Sequence, residues 1–518
     1  MRRDLSQLAN RSFDLLVVGA GIQGACIAWD ASLRGLSVAI VDSGDFGAAT
    51  SANSLRIVHG GLRYMARGDF PRMLESIRER TAFLRIAPHL VEPLPVLVPI
   101  YAGSPTRGRM AHRLALAVND VVSWRRNRGV EQSRHLPRGR LVSRAECLEL
   151  FPWLDTGGLT GGALWYDARV RHPERLTLEL VCSAFRRGAA PANYVRVDRL
   201  VVRQGAVESA AVTDMLGGAT FEVRAKAVVV AAGPWTESLI ACTLGKAQRE
   251  GQPSGALALN VVVGRELAQI AVGVQARSST PDDPAGDGKR FLFVHPQRAA
   301  TLLGTWYGVA GTEEVASRCE AGARQLLQDF NAACPALGLS SDDVVRYQAG
   351  WLPVEKRRPA GAASARLADR PIVANHGTLN GVRHLFSVEA VKFTTARGVA
   401  EGVVDQVFRD LGRTSPPCRT AELPVDELAP SGRLDPEMAP PPASITQAIR
   451  EEMAVKLSDI VYRRLDAGVA PAITRPVAEA IARAAAPELG WDLRRQESEI
   501  EDVVRQSSVP RALMEPVG

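Results

Sequence analysis

Lysine is scarce in this chain. Six of its 63 cationic residues are Lys and the other 57 are Arg, and against 56 acidic residues they leave a net charge of +7 over 518 residues. That excess is mild and spread along the sequence, so a nucleic-acid-binding protein, which concentrates its positive charge, is not indicated. The seven cysteines, at 26, 147, 182, 242, 319, 334 and 418, are scattered, odd in number and never form a CxxC pair. Neither a disulfide framework nor a metal site is indicated, and a reducing compartment fits best. No run approaches the roughly 18 consecutive apolar residues of a spanning helix, so membrane contact would be peripheral. Repeats and low-complexity tracts are absent as well. What remains is ordinary for a soluble enzyme: 46% apolar and 23% charged residues, with a length suggesting about three domains at roughly 150 residues each.

Near the start, Arg2-Arg3 and the apolar residues 15–21 have the outline of a signal peptide, but Asp14 interrupts it and glycines run through it. A buried core strand is the better reading. Residues 13–18 (FDLLVV) form the continuous apolar run of a parallel strand covered on both faces, followed by a helix over 25–33 and a second strand over 37–42. Further buried strands are predicted at 225–231 and 384–388, each followed by a helix, at 236–244 and 394–411. The fold class is therefore α/β, with a Rossmann-like nucleotide-binding domain assembled from residues 12–89, 146–245 and 346–423. Residues 90–145 and 246–345, with alternating strands at 256–263 and 291–294, form a second, sheet-containing substrate domain. A Pro-rich linker (424–444) precedes a C-terminal helical domain (445–518), with helices expected at 445–457, 475–485 and 493–505.

The strongest local signal is Gly19-Ala20-Gly21-Ile22-Gln23-Gly24 between the first strand and the first helix. Gly19 permits the tight turn, Gly21 lets backbone approach a pyrophosphate, and Gly24 lets helix and strand pack, while the helix N-terminus favours anionic oxygens. Asp42 ends the second strand, where a carboxylate accepts hydrogen bonds from an adenosine ribose. These features call for a dinucleotide. The glycines alone leave NAD and FAD open.

Residues 48–64 (AATSANSLRIVHGGLRY), Ala231-Ala232-Gly233-Pro234-Trp235 and Lys392-Phe393-Thr394-Thr395-Ala396-Arg397 resemble the FAD-dependent glycerol-3-phosphate dehydrogenases, a branch of the D-amino-acid oxidase-like flavoproteins. The resemblance extends into the tail, at EEMAVKLSDIVYRR and ELGWD. It implies FAD as cofactor, with Gly19, Gly21 and Gly24 at the pyrophosphate, Asp42 at the ribose, and Thr50 and Ser51 at further phosphate oxygens. Ser54, His59, Gly60 and Gly61 would line the isoalloxazine, Gly233 would let the chain pass close to the cofactor, and Thr394 would join Lys392 beside it. Lys392 would place positive charge where hydride transfer leaves an anion, or else be a lysine at a solvated helix end. His59 is a base candidate or a histidine capping the HGG turn. Arg63 and Tyr64 resemble the family's substrate-side pair, the Arg fork suiting a phosphate or carboxylate; otherwise they are a surface Arg and a packed Tyr.

The substrate half departs from the family. Its Lys-Gly-Ser-His run falls on Leu257-Ala258-Leu259-Asn260, its Gly-Thr-Thr-Asp on Gly304-Thr305-Trp306-Tyr307, its phosphate-binding Arg on Leu352, and its paired glycines on Ala390-Val391. That is the pattern of a relative with a changed substrate. Lys356, Arg357 and Arg358 are replacement cations or a solvated loop, His295 is a second base candidate or a satisfied strand-end histidine, and Trp306 and Tyr307 are a pocket wall or core packing.

The expected activity is oxidation of a secondary alcohol, nearest to sn-glycerol 3-phosphate giving dihydroxyacetone phosphate, by hydride transfer to flavin N5, with quinone or oxygen as acceptor. An enzyme for another hydroxy acid, polyol derivative or amine is the alternative, and a catalytically silent FAD-binding protein a further one. Residues 107–128 (RGRMAHRLALAVNDVVSWRRNR) carry apolar side chains mostly on one side of a helix with arginines at its ends. They would either lie on an anionic membrane surface or pack on the protein's own core. A cytoplasmic location follows from these readings, with peripheral contact on the inner membrane face if the segment is interfacial.

Overall fold

A computed structural model describes residues 1–65, 68–103, 108–246, 255–276, 290–309, 315–355, 366–428, 440–465 and 473–507, leaving out the Arg63 side chain. The apolar run at the start becomes strand Ser12–Val18, the centre of an eight-stranded sheet. It pairs in parallel with Thr220–Val230 on one side and Val38–Val41 on the other; Leu385–Glu389 and Ala190–Ala192 extend the parallel set outward. Strands drawn from such distant stretches can lie parallel only if crossovers return the chain to the same end. Helices Ile22–Leu33, Pro173–Arg186 and Ala396–Asp410 pack together as one covering layer and share a core with the sheet through Leu15, Val17, Ile40, Val181 and Val403.

The second sheet has nine strands, ordered Val344–Leu352, Ala256–Val263, Ala300–Val309, Phe291–Gln297, Ala271–Gln275, Val91–Tyr101, Leu159–Val170 and Ile57–Val58, with Arg140–Val142 added on Leu159–Val170. Three of these differ from expectation, the first being Ile57–Val58, which lies in a segment assigned to the nucleotide-binding half and pairs with Arg169 and Ala168. Leu159–Val170 falls in a segment assigned to the nucleotide-binding half, yet it pairs along almost its whole length with Val91–Tyr101. The strand that ends at Leu352 likewise carries residues 346–352 into the second sheet. One face of this sheet (Leu257, Leu259, Val261, Tyr347, Trp351) packs on helix Val315–Ala333 through Leu326 and Phe330. Strand alternation then turns Asn260, Gln348 and Gly350 to the other face, where Thr50 and Asn53 lie.

Helices Pro442–Arg450, Arg475–Leu489 and Leu493–Ser507 enclose a separate core of Ile445, Leu457, Ile481 and Val503. The helix expected over 445–457 stops at Arg450, Met453 takes a positive φ of 57°, and the chain re-enters a short helical turn over 457–464. No helix among the described residues is long and apolar enough to cross a membrane.

The basic segment forms helix Arg109–Val122, and it is not packed on the core along its apolar stripe. Met110, Leu114, Val121 and Trp124 are 75, 66, 72 and 70% exposed, while Leu116 alone is buried, against Ile100 and Ala163. Spacings of four and seven residues keep Met110, Leu114 and Val121 on one side of the helix, and Trp124 follows two residues past its end.

Candidate active site

The glycine turn is built by close approach. Gly19 has φ of +98°, and a Cβ there would lie 2.5 Å from the Ala231 carbonyl oxygen of the neighbouring strand end; a Cβ on Gly24 would overlap the Gly19 carbonyl. At Gly21 the space holds the Ser51 hydroxyl, whose oxygen accepts the Ile22 N–H (3.0 Å) and so caps the helix from another segment. The helix N-terminus and a hydroxyl that can donate onward thus face one spot, as anionic oxygens require. Asp42 takes the Ala20 N–H on one oxygen (2.6 Å) and the Gly44 N–H on the other (2.9 Å). Burial raises its pKa, and the two amides oppose that shift.

Several buried polar atoms around this cradle have no hydrogen-bond partner among the described residues: Gln23 Oε1 in the first helical turn, Trp235 Nε1 and Thr236 Oγ1. The last two follow shortly after Gly233, which sits at φ +55° with nothing within 4 Å of its Cβ direction. Leaving such groups unsatisfied costs about 1–3 kcal/mol each, so a large ligand with polar edges fits this arrangement. Thr50 is committed elsewhere. Its hydroxyl donates to the Trp351 carbonyl (3.2 Å) and accepts the Trp351 N–H (3.1 Å), tying the nucleotide side to the second sheet.

The His59-Gly60-Gly61 loop follows strand Ile57–Val58, which pairs with Arg169 and Ala168 of the second sheet. Asp167 holds the loop: one carboxylate oxygen accepts the Gly60 N–H (2.6 Å) and the Arg80 guanidinium (2.6 Å), the other the Trp165 indole N–H (3.2 Å). A side chain at Gly60 would strike Arg80, and Gly61 takes φ of +76°. Tyr64 is buried beyond the turn, with its ring centroid 6.0 Å from that of His59, 4.5 Å from Lys392 Nζ and 5.2 Å from Arg72 Cζ. Thr394, also buried, accepts the His59 N–H at 3.4 Å, while the Ser54 hydroxyl accepts the Arg56 N–H. His59, Gly60, Gly61, Tyr64, Lys392 and Thr394, read separately from two stretches of sequence, therefore form one cluster. Arg63 and residues 356–358 lie outside the described side chains.

His295 is placed differently. It is fully buried, with Gln297 donating to Nδ1 (2.6 Å), and burial together with the nearby Arg169 and Arg56 charges pushes its pKa down to about 3. A group that resists protonation so strongly is a poor acceptor for a hydroxyl proton at neutral pH. Asn260 is bound into the frame: its amide donates to the Asn53 carbonyl (3.2 Å) and accepts the Thr305 hydroxyl (2.8 Å). The Trp306 ring packs beside Gly308 and Gly322 with its N–H on Gln325 (3.1 Å), on the helix side of the sheet rather than in a pocket wall. Sequence reading missed Asp167, Arg80 and Arg72; the only local signal was charge within otherwise apolar segments.

A family model for FAD dependent oxidoreductases matches residues 14–406. The chain belongs to that family. It is 32% identical to a glycerol-3-phosphate dehydrogenase of Synechocystis over 429 residues, 82% of this chain and 75% of that protein. It is 30% identical to the mitochondrial glycerol-3-phosphate dehydrogenase of Mesocricetus auratus over 436 residues, 81% of this chain and 56% of the relative. The fold is similar to that of the Bacillus halodurans glycerol-3-phosphate dehydrogenase complexed with FAD, with a TM-score of 0.70 at 22% identity, covering 98% of this chain and 97% of that one. This FAD-dependent oxidoreductase thus carries a glycine turn with the Asp42 carboxylate beside it and a cluster of His59, Tyr64 and Lys392.

Proposed function

We propose that the protein oxidises a secondary alcohol of the sn-glycerol 3-phosphate type, giving the corresponding ketone. The observation that carries this reading is the meeting of His59 and Tyr64, at the loop held by Asp167, with Lys392 from a separate segment. Bound FAD supplies the hydride acceptor. His59 then takes the hydroxyl proton, and Lys392 over the Tyr64 ring favours an anionic substrate and the negative charge that builds up. Gly19, Gly21, Gly24, Ser51 and Asp42 hold the dinucleotide end, Gly233 leaves room for a flat ring, and Gly60 and Gly61 let the loop pass close to Arg80 and Tyr64 with Ser54 nearby in sequence.

The substrate wall supports a shifted preference. Leu352 and Asn260 stand where the resemblance calls for a phosphate-binding Arg and a His, and an amide tied between Asn53 and Thr305 does not accept a proton. Losing a charged hydrogen-bond partner costs about 1.5–3 kcal/mol, a factor of roughly ten to a hundred. The test is an anaerobic flavin-reduction screen over glycerol 3-phosphate, 2-hydroxy acids and amino acids. Bleaching by a secondary alcohol supports the reading; bleaching by amino acids alone points to an amine oxidase, and no bleaching by any compound to a silent flavoprotein.

We further propose that electrons leave to a quinone at an anionic membrane surface, with oxygen as the alternative. The exposed stripe of Met110, Leu114, Val121 and Trp124, with Arg125 stacked at 4.5 Å on the Trp124 ring, supports an interfacial seat.

A further inference from the structure

The C-terminal helices reach the loop that carries the ribose-side acid through a closed set of buried charges. Asp45, three residues after Asp42, is fully buried and accepts the Asn193 amide (2.9 Å), two nitrogens of Arg464 (one at 3.1 Å) and Arg463 Nε. Arg463 continues to Asp459 (2.5 Å), which also accepts the Tyr194 hydroxyl (2.6 Å) and the N–H groups of Val455 and Lys456. Arg464 donates to the Glu452 carbonyl (2.7 Å), and Lys456 Nζ lies 4.7 Å from the Tyr194 ring centroid. Burial would raise the Asp45 pKa, yet Arg464 and Arg463 outweigh it and hold the carboxyl down at about 2. The backbone on the cradle side is equally engaged: Tyr194 N–H binds the Gly44 carbonyl (2.9 Å), Val195 N–H the Asp42 carbonyl (2.7 Å) and Asp42 N–H the Ala192 carbonyl (3.2 Å).

Buried ion clusters contribute little net stability compared with apolar packing, but they fix one register because every misplacement leaves a charge unpaired. Here the element held in register is the turn from 42 to 45. We propose that Arg463 and Arg464 are positioning residues for FAD: the C-terminal domain locks Asp45, and with it the Asp42 loop, in the arrangement that accepts the adenosine ribose. This rests on Asp42 being the ribose acid. The domain then acts on cofactor retention and leaves the flavin-side cluster around His59 untouched.

The test compares FAD release from holoenzyme on dilution, followed by free-flavin fluorescence, in wild type, Arg463→Gln, Tyr194→Phe, Asp42→Asn and the surface control Arg450→Gln. Arg463→Gln is expected to raise the FAD dissociation constant roughly tenfold, and Tyr194→Phe a few-fold. Flavin midpoint potential and reduction rate at saturating FAD should stay at wild-type values, and Arg450→Gln should release FAD as wild type does. If Arg463→Gln fails to fold, Tyr194→Phe decides alone. A lower melting temperature with unchanged FAD release in both variants would reduce the cluster to a structural clamp and overturn the proposal. Should Asp42→Asn also retain FAD normally, the ribose assignment itself fails; if it alone loses FAD, only the positioning role does.

Discussion

At Gly24 the demand for glycine comes from the neighbouring backbone rather than from the ligand, since any Cβ would overlap the Gly19 carbonyl. Gly24→Val should therefore yield protein that is colourless or loses FAD on gel filtration; yellow protein at full occupancy would show that the turn can open. Such residues were legible because their neighbours are within a few positions and the constraint is written in backbone geometry. Asp167 was not, because the groups it serves, Gly60 and Arg80, lie 107 and 87 residues away. Removing one partner of a buried pair costs about 3–5 kcal/mol, so Asp167→Ala should lose stability on that scale in denaturant unfolding, and a loss below about 1 kcal/mol would deny it the role of a hub. His295 was read as a base candidate or a satisfied strand-end histidine, and the sequence did not decide because Arg169 and Arg56 reach it from other segments. Its folded pKa of about 3 lies below the ordinary histidine value of 6.5. Within that window the unfolded chain binds a proton that the folded chain refuses, so stability is full above pH 6.5 and falls as pH drops toward 3, by up to about 1.4 kcal/mol per unit. Replacing His295 by Leu should remove that slope; a gap between wild type and variant that stays constant with pH would mean the histidine is not held neutral.

At the scale of elements, the buried parallel strands were readable because both faces are covered and the apolar run is unbroken, as in Ser12–Val18 and Thr220–Val230. Leu159–Val170 hid its nature. Two glycines open it and Asp167 and Arg169 interrupt it, because its polar face serves the HGG loop and the ion pair with Glu92. The helix over 445–457 was read too long, since periodicity carries through Glu451–Met453 although Glu452 and the Met453 carbonyl are needed by Arg175 and Asn193. For Arg109–Val122, the amphipathic pattern was plain but not which side faces the core. With the stripe outward, Leu114→Ser and Trp124→Ser should release the protein from anionic vesicles at unchanged melting temperature, and salt should weaken the wild-type association. Wild-type protein that stays in the supernatant at low salt would leave a soluble acceptor or oxygen for the electrons.

For the whole molecule, the parallel sheet built from distant strands and the close backbone contacts at Gly19 and Gly24 came through in sequence because a dinucleotide-binding turn imposes the same backbone demands wherever it occurs. The substrate half did not, because its face is assembled by strand alternation across nine strands and its departures, Leu352 and Asn260, acquire meaning only from what surrounds them. The two halves predict different things: tight FAD, and weakened handling of a phosphorylated polyol. The most direct test is an anaerobic titration of the holoenzyme with sn-glycerol 3-phosphate, following the flavin absorbance, with dithionite reduction as the measure of full bleaching. Slow bleaching that saturates only at high substrate concentration, and is lost in His59→Ala, is expected. Rapid bleaching at micromolar substrate would contradict the altered substrate wall, and no bleaching by any secondary alcohol in flavin that dithionite still reduces would contradict the proposed activity.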